Sequence, residues 1–298
     1  MPAGTPPKAL SPVPCKGTRQ TSDNACAATN QGRTIPSQNL NHEPAGPAAG
    51  GSITVSIVSH GHDEWLARLL PALAATGADA IAHVIVTHNL VDGSIPQSPP
   101  GGWPFRLTHV HNEAQTGFGT NHNRAFSRAD TDLFSVLNPD MTLTDPRLWN
   151  TMAALAAEPG VGCAYPTLQN PDGSVQDNAR SVPTPWALMR RRLLGRQDLR
   201  VDWASASFWV VPSAVFRSLK GFDERFYMYC EDTDFCLRLQ LAGWRLARSS
   251  ATAIHHAQRS SLRPGRHFLW HLRSLWRLWT SEALRAYLRG RKTLPVNR

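Results

Sequence analysis

The chain of 298 residues has few cysteines and no long apolar run. Its five cysteines are scattered and none forms a CxxC pair, which argues against a disulfide scaffold or a zinc site and favours a reducing cytosol. Because no uninterrupted apolar stretch reaches about 18 residues, we expect no transmembrane span. The amino terminus also lacks the apolar h-region of a secretory signal.

Large apolar side chains are scarce in the first fifty residues, which are rich in Pro, Gly, Ala, Ser, Thr and Asn. Such a segment cannot bury enough surface to offset the entropy lost on ordering. We therefore predict a disordered N-terminal extension over residues 1–51. Residues 52–262 are predicted to form one α/β domain, followed by a basic amphipathic helix and tail over residues 263–298.

The positive charge is concentrated at the carboxyl end. The net charge is +9, and residues 263–298 carry eight arginines and one lysine against a single glutamate, a net +8. This concentration indicates a local basic surface, and we expect no nucleic-acid partner. Residues 267–289 also carry an apolar stripe with tryptophans, which suits the headgroup region of a membrane. Peripheral contact with the inner membrane and docking on the catalytic domain both stay open.

Strands and helices alternate in the first half of the domain. Short apolar runs predict strands over residues 53–59, 83–86, 105–110 and 133–137, and helical spacing predicts helices over 64–75 and 121–128. This alternation indicates a parallel sheet with helices on both faces. A less regular half follows after residue 145.

Polar residues follow three of the predicted strands, at the edge where open α/β sheets bind ligands. Asp140 comes after Pro139, whose fixed backbone presents the carboxylate stiffly, and such a group suits a hard divalent cation shared with substrate phosphates. An ordinary strand-ending turn is the alternative for this triplet. The residues at these strand ends are Ser59, His60, Asn89, Asn138 and Asp140.

A glycine-containing loop, TGFGTNHN over residues 116–123, opens a predicted helix. Backbone N–H groups near Gly117 and Gly119, together with Asn123, could cradle a diphosphate. The loop matches neither the P-loop nor the dinucleotide fingerprint. A nucleotidyltransferase would need a phosphate-binding loop after the first strand, and none is present there.

Three acids stand at the start of another predicted helix, in the stretch GFDERFYMYCEDTDFCLR over residues 221–238. Acidic side chains are favoured at helix N-termini for structural reasons alone. Asp234 stands four residues before Arg238 and is predicted to be structural, whereas Asp232 is a candidate general base. His255 and His256 end a later apolar segment, where one imidazole could ligate a metal and would favour Mn²⁺ over Mg²⁺.

Six segments occur together in an order typical of one family. They are TGFGTNHNRAF, LNPD, PDGSVQDNARSVPT, DWASASFWVVP, GFDERFYMYCEDTDFCLRLQLAGW and IHHAQRSS. In this order the chain resembles the family 2 glycosyltransferases of GT-A fold, particularly the rhamnosyltransferase-like members, over about residues 53–261. The resemblance implies a mixed, mainly parallel sheet flanked by helices. It also implies a cytoplasmic enzyme of bacterial surface polysaccharide synthesis. It would transfer a sugar with inversion from a nucleotide-sugar donor, favoured as dTDP-rhamnose, to a saccharide or lipid-linked acceptor.

The resemblance also implies roles for individual residues. Asp140 matches the family's metal-binding acid for Mg²⁺ or Mn²⁺, with Asn138 in place of the first Asp of the usual DxD pair. Asp232 matches the catalytic base of the ED motif, and Glu231 is its immediate partner. Either His255 or His256 matches the histidine that completes the metal shell, whereas Trp203 and the segment 221–226, which contains Asp223, match the acceptor side. Arg180 is a candidate contact to acceptor or phosphate, and a solvated surface arginine is the alternative.

Two departures from the family pattern affect specificity. Asn89 and its two predecessors stand where many relatives carry an Asp that binds the base or ribose, and Ala206 stands where a Gly is usual. The identity of the nucleotide is therefore open. An alternative of another class is a basic membrane or nucleic-acid adaptor whose α/β domain has lost catalysis.

Overall fold

The computed structural model describes residues 51–90, 96–194, 200–256 and 265–291. The predicted N-terminal extension lies outside these ranges apart from its last residue, and its disorder stays a prediction. The strands are β1 (Ile53–Ser59), β2 (Ile81–His88), β3 (Arg106–His111), β4 (Leu133–Leu137), β5 (Met141–Thr142), β6 (Val161–Gln169), β7 (Ala179–Arg180), β8 (Trp203–Ala204), β9 (Phe208–Pro212) and β10 (Arg245–His255). The helices are α1 (Asp63–Gly77), α2 (Phe118–Phe126), α3 (Leu148–Ala156), α4 (Pro185–Leu194), α5 (Ser213–Ser218), α6 (Glu231–Leu241), α7 (Arg266–Thr280) and α8 (Glu282–Arg291).

One eight-stranded sheet runs through the domain in the order β3-β2-β1-β4-β9-β6-β10-β5. The first four neighbours are parallel, but β9 runs antiparallel between β4 and β6, and β5 runs antiparallel to β10. The predicted mixed, mainly parallel sheet is thus confirmed. Simple alternation of strands and helices did not indicate the reversed β9. Its direction follows because the chain stays at one edge after β6, pairs β7 with β8 there, and must run back from that edge.

Helices cover both faces of the sheet, as the alternation predicted. Helices α1 and α3 pack on one face, where α1 buries leucines at helical spacing. Helices α2, α5 and α6 pack on the other face through an aromatic cluster that includes Phe134, Phe216 and Phe235. Burying each such side chain contributes about 1.5–3 kcal/mol, so the two faces hold the sheet and its site-bearing edge rigidly.

The carboxyl-terminal region forms two helices and not the single predicted one. Ser281 between α7 and α8 is extended, with ψ 149°, because its hydroxyl caps the next helix by accepting the N–H of Leu284 at 3.1 Å. Both helices dock on the domain. A third cluster of buried side chains joins them to α6, to the segment before it and to the segment after β7: Val182, Phe226, Cys230, Leu237, Leu275, Leu278, Leu284 and Tyr287.

Candidate active site

The predicted site residues at the strand ends meet at one edge of the sheet. The carboxyl ends of β1, β2 and β4 lie side by side there, because these strands are parallel and in close register. Strand β10 ends at the same edge, where His255 pairs with Met141, the residue after Asp140. The structure therefore brings Asp140 and His255 together from positions far apart in the sequence.

His255, and not His256, faces the Asp140 carboxylate. The His255 Nε2 atom lies 3.4 Å from Asp140 Oδ1 and 3.5 Å from Asn138 Nδ2. The His256 ring instead lies on Trp65, with Nε2 3.0 Å from the Thr142 hydroxyl. Burial alone would raise the pKa of Asp140, but the neighbouring His255 imidazole outweighs it and holds that pKa below its usual value. Asp140 is therefore ionised at neutral pH.

Glu231 and Asp232 open helix α6 after a tight turn in which Tyr229 and Cys230 both have positive φ. The Glu231 side chain is buried, and its Oε2 atom has no hydrogen-bond partner among the described residues. Burial raises the pKa of Asp232 to about 6, and burial beside Asp232 raises the pKa of Glu231 well above its usual range. Two adjacent acids with raised pKa values are a common feature of sites that move protons.

The two candidate acids, Asp140 and Asp232, lie at the same edge of the sheet. Strand β9 begins beside the end of β4, and the Asn138 N–H donates to the Ser207 carbonyl at 2.8 Å. The preceding residue, Ala206, donates its N–H to the Asp232 carboxylate. One short stretch of backbone thus connects the neighbourhoods of both acids. The Asp232 Oδ1 atom also accepts the Thr233 N–H at 2.7 Å.

Asp234 has the structural contacts that its spacing predicted. Its Oδ2 atom accepts from Arg238 Nε at 2.7 Å, and the same guanidinium donates to the carbonyls of Leu219 and Gly221 at 2.7 and 2.9 Å. The pair therefore fastens helix α6 to the end of α5. Of the three acids at the helix start, Asp232 is the one that is only partly buried.

The glycine loop packs tightly against the segment that leads to α6. A Cβ atom on Gly117 would lie 2.7 Å from the Tyr227 carbonyl oxygen, and one on Gly119 would lie 2.7 Å from Phe222 Cβ. Asn123 receives the Phe222 N–H on Oδ1 at 2.9 Å and donates Nδ2 to the Phe222 carbonyl at 2.9 Å. Close packing therefore accounts for the small residues at Gly117 and Gly119, and these hydrogen bonds account for the Asn123 amide. A role for the three in donor binding stays a prediction.

Asn89 lies at the end of β2 within a network of amides that the sequence reasoning missed. Its Oδ1 atom accepts the Thr116 N–H and Asn112 Nδ2, each at 2.9 Å, and Asn112 also donates to Asn121 Oδ1 at 2.7 Å. The network ties the ends of β2 and β3 to the glycine loop. Near the end of β1, His60 is exposed, and the Ser59 hydroxyl accepts a backbone N–H of the following turn at 3.1 Å.

The three residues predicted for the acceptor side have local partners. The Trp203 indole donates to the Ser181 carbonyl at 3.0 Å, and the Arg180 guanidinium lies over the Trp203 ring, 6.0 Å from its centre. Both residues belong to the small β7–β8 sheet. Both carboxylate oxygens of Asp223 accept from Arg225 Nε, each at 2.9 Å. Burial would raise the pKa of Asp223, but this pairing with Arg225 helps to hold it below its usual value.

Comparison with known proteins decides the family. The chain is 30% identical over 251 residues to the rhamnosyltransferase WbbL of Escherichia coli (strain K12), covering 76% of this chain and 91% of the relative. The chain belongs to the rhamnosyltransferase-like family 2 glycosyltransferases. It is 28% identical over 294 residues to the N-acetylglucosaminyl-diphospho-decaprenol L-rhamnosyltransferase of Mycobacterium tuberculosis (strain ATCC 25618 / H37Rv), covering 83% of this chain and 95% of that protein. No family model matches the sequence.

The fold agrees with this assignment. A mannosyltransferase from Pyrobaculum calidifontis, solved with GDP-Man and Mn²⁺, superposes with a TM-score of 0.51 at 13% identity, covering 84% of this chain and 78% of that one. The GT-A fold predicted by the resemblance is thus confirmed, and the chain is a glycosyltransferase of bacterial polysaccharide synthesis. Nothing in these comparisons favours the alternative of an inactive adaptor.

Proposed function

We propose that this glycosyltransferase transfers rhamnose, with inversion, from dTDP-rhamnose to a hydroxyl group of a lipid-linked saccharide. The names of the two relatives support the sugar, and the decaprenol-linked acceptor in one of those names supports the acceptor class. The observation that supports the proposal is that Asp140 and the start of helix α6, which carries Asp232, lie at the same edge of the sheet. An inverting transfer needs a charge partner for the leaving diphosphate and a base on the acceptor side.

Asp140 and His255 fit a divalent cation, Mg²⁺ or Mn²⁺. Among the residues that the structure describes, no three or more His, Cys, Asp or Glu side chains are grouped to hold a metal. Two ligand atoms that face each other at 3.4 Å nevertheless suit a cation whose other positions are taken by diphosphate oxygens and water. Such a cation would supply positive charge to the leaving diphosphate.

Asp232 would accept the proton of the acceptor hydroxyl. A raised pKa near the working pH suits a general base, because the carboxylate is both available and sufficiently basic. The N–H groups of Ala206 and Thr233 hold its orientation. Burial beside Asp232 raises the pKa of Glu231, which would oppose a second negative charge next to the base.

Product formation from a panel of nucleotide sugars tests the proposal. With a diphospholipid-linked N-acetylglucosamine acceptor and Mn²⁺ or Mg²⁺, we expect dTDP-rhamnose to give product and GDP-Man and UDP-Glc to give far less. Asp140→Asn should abolish stimulation by the metal, whereas His256→Ala should keep it, since His256 contacts Thr142 and not Asp140. Equal use of all donors would contradict the sugar assignment, and metal stimulation retained by Asp140→Asn would contradict the cation site.

We also propose that helix α7 rests on the inner face of the plasma membrane, where a lipid-linked acceptor would lie. No described helix is long and apolar enough to cross a bilayer. One face of α7 docks through Leu275 and Leu278, yet the outer face leaves Leu269, Leu272 and Trp276 exposed at 65, 49 and 68%. Arginines flank this face, so its charge complements anionic lipid.

Vesicle co-sedimentation with point variants tests the membrane contact. Deleting both helices is a poor test, because it would also remove the side chains that they contribute to the buried core. We expect the triple variant Leu269→Ser, Leu272→Ser, Trp276→Ser to lose binding to vesicles of three parts phosphatidylcholine and one part phosphatidylglycerol. Leu241→Ser, a matched change at an exposed leucine of α6, should bind normally. Undiminished binding by the triple variant would exclude this face.

A further inference from the structure

Gln176 lies directly behind His255, on the hairpin that follows β6. Its Oε1 atom is 3.0 Å from His255 Nδ1. Its Nε2 atom is 2.7 Å from the backbone carbonyl oxygen of His255 and 2.8 Å from Asn170 Oδ1. Every polar atom of the Gln176 side chain therefore has a partner, and two of its contacts are with the same histidine.

These contacts fix the orientation of the Gln176 amide. A backbone carbonyl oxygen only accepts hydrogen bonds, so the group that faces it at 2.7 Å must be the amide nitrogen. The amide oxygen then faces the imidazole ring. Because that oxygen only accepts, the hydrogen bond at 3.0 Å requires His255 Nδ1 to carry the proton.

The Asp172 carboxylate, at the far end of the hairpin, supports the same orientation of the Gln176 amide. The Asp172 carboxylate accepts the Ser174 hydroxyl at 2.6 Å, and that hydroxyl oxygen accepts Asn170 Nδ2 at 2.8 Å. Asn170 therefore turns its carbonyl oxygen toward Gln176 and receives its N–H. From His255 through Gln176 to Asp172, each group donates to the next, and the chain ends on an anion.

In the neutral ring, this arrangement leaves the Nε2 atom of His255 without a proton. With the proton on Nδ1, neutral His255 has its lone pair on Nε2, which faces Asp140 Oδ1 at 3.4 Å. Two electron-pair donors that face each other at this distance repel unless a proton or a cation lies between them, and at a pH where the ring is neutral a divalent cation can fill that place. Metal-binding histidines are commonly oriented by such a hydrogen bond at the other ring nitrogen.

We propose that Gln176 is a positioning residue that holds His255 as its Nδ1–H tautomer and thereby presents Nε2, together with Asp140, to a divalent cation. The inference rests on the proposed function for the identity of the site. Its central claim, the tautomer, can be measured without donor, acceptor or turnover.

Nitrogen-15 NMR of histidine-labelled protein measures the tautomer. At pH 8.5, where an ordinary imidazole is neutral, we expect wild-type His255 to show a protonated Nδ1 and an unprotonated Nε2. Its signals are assigned by their absence in His255→Phe. Gln176→Leu should move the proton to Nε2, the usual site in a free imidazole. An unprotonated Nδ1 in the wild type, or an unchanged spectrum in Gln176→Leu, would overturn the inference.

Two further variants separate hydrogen bonding from packing. Gln176→Glu keeps an acceptor for the Nδ1 proton and should keep the tautomer. If it instead behaves like Gln176→Leu, the residue acts through packing and the proposal fails. Gln169→Leu is the matched control on the same hairpin, because the Gln169 side chain takes no part in the hydrogen-bond chain, and it should leave the signals unchanged.

Binding of Mn²⁺ alone, followed by electron paramagnetic resonance, gives the second measurement. Loss of a residue that orients a metal ligand typically lowers the metal affinity about 10–100-fold. We expect a loss of Mn²⁺ affinity in that range for Gln176→Leu and no change for Gln169→Leu. Equal Mn²⁺ affinity in the wild type and Gln176→Leu would refute the positioning role. If the tautomer and Mn²⁺ binding are as expected but no sugar is transferred, the proposed function fails and the inference stands.

Discussion

Removing the negative charge of Asp232, at the start of α6, should stabilise the folded protein. Burial raises the pKa of Asp232 from 3.8 to about 6. Between these values the folded state binds more protons than the unfolded state, so its stability falls as pH rises through this window. At pH 8 the charged carboxylate therefore destabilises the fold by up to ~3 kcal/mol, about two pKa units at 1.36 kcal/mol each. Asp232→Asn keeps the shape and removes that charge.

We expect Asp232→Asn to raise Tm at pH 8 by several degrees, since about 2–4 °C corresponds to 1 kcal/mol in a domain of this size. The gain should vanish near pH 4, where the wild-type carboxyl is also protonated. Turnover should fall by roughly 10²–10⁴, the usual contribution of a general base. Scanning calorimetry at both pH values and initial rates measure these effects.

The same substitution at an exposed acid provides the control. Asp130 lies at the other end of the sheet and pairs with Arg106 at 2.9 Å on the surface. Asp130→Asn should bring no gain in Tm and leave turnover intact. If Asp232→Asn lowers Tm at pH 8 and keeps its turnover, Asp232 serves as a helix-start acid and the reasoning from its raised pKa is wrong.

Three further predictions concern the same edge and its supports. The kcat/KM of the wild type should fall below pH 6 and level off above it, as Asp232 must be deprotonated to act; a flat profile from pH 5 to 8 would contradict this. Gly117→Ala should cost about 1–3 kcal/mol of unfolding free energy, because its Cβ would lie 2.7 Å from the Tyr227 carbonyl oxygen, and urea denaturation measures the loss. Tyr287→Phe should cost a similar amount, about 1–3 kcal/mol, because the hydroxyl donates at 2.9 Å to buried Asp202; an unchanged urea midpoint would show that this bond adds nothing.

Elements with a strong local pattern could be predicted from the sequence almost to the residue. Strands β1 and β4 are continuous apolar runs bounded by polar residues, and their predicted bounds of 53–59 and 133–137 match the structure. The start of α6 was equally clear, because three acids follow an aromatic run. In both cases the residues that decide the structure are neighbours in the chain.

Features that depend on distant contacts could not be predicted. Gln176 and His255 meet across 79 positions, and no local pattern distinguishes this glutamine from any other polar residue of a hairpin. The choice between His255 and His256 likewise depends on which side of β10 faces Asp140. The direction of β9 is set by the edge of the sheet at which the preceding segment ends, and the apolar sequence of β9 does not reveal that edge.

The docked carboxyl-terminal helices also support the turn before Glu231 and Asp232. Tyr229 and Cys230 adopt positive φ, a conformation that costs about 1–3 kcal/mol for such residues and persists only when neighbours hold it. Helix α7 provides that hold, since the Ser274 hydroxyl donates to the Met228 carbonyl at 2.8 Å and the Tyr229 hydroxyl lies 3.0 Å from His267 Nδ1. The helix whose outer face is exposed is therefore the one that fixes the position of the acid pair. Any displacement of α7 would therefore be transmitted to the start of α6 through these two hydrogen bonds.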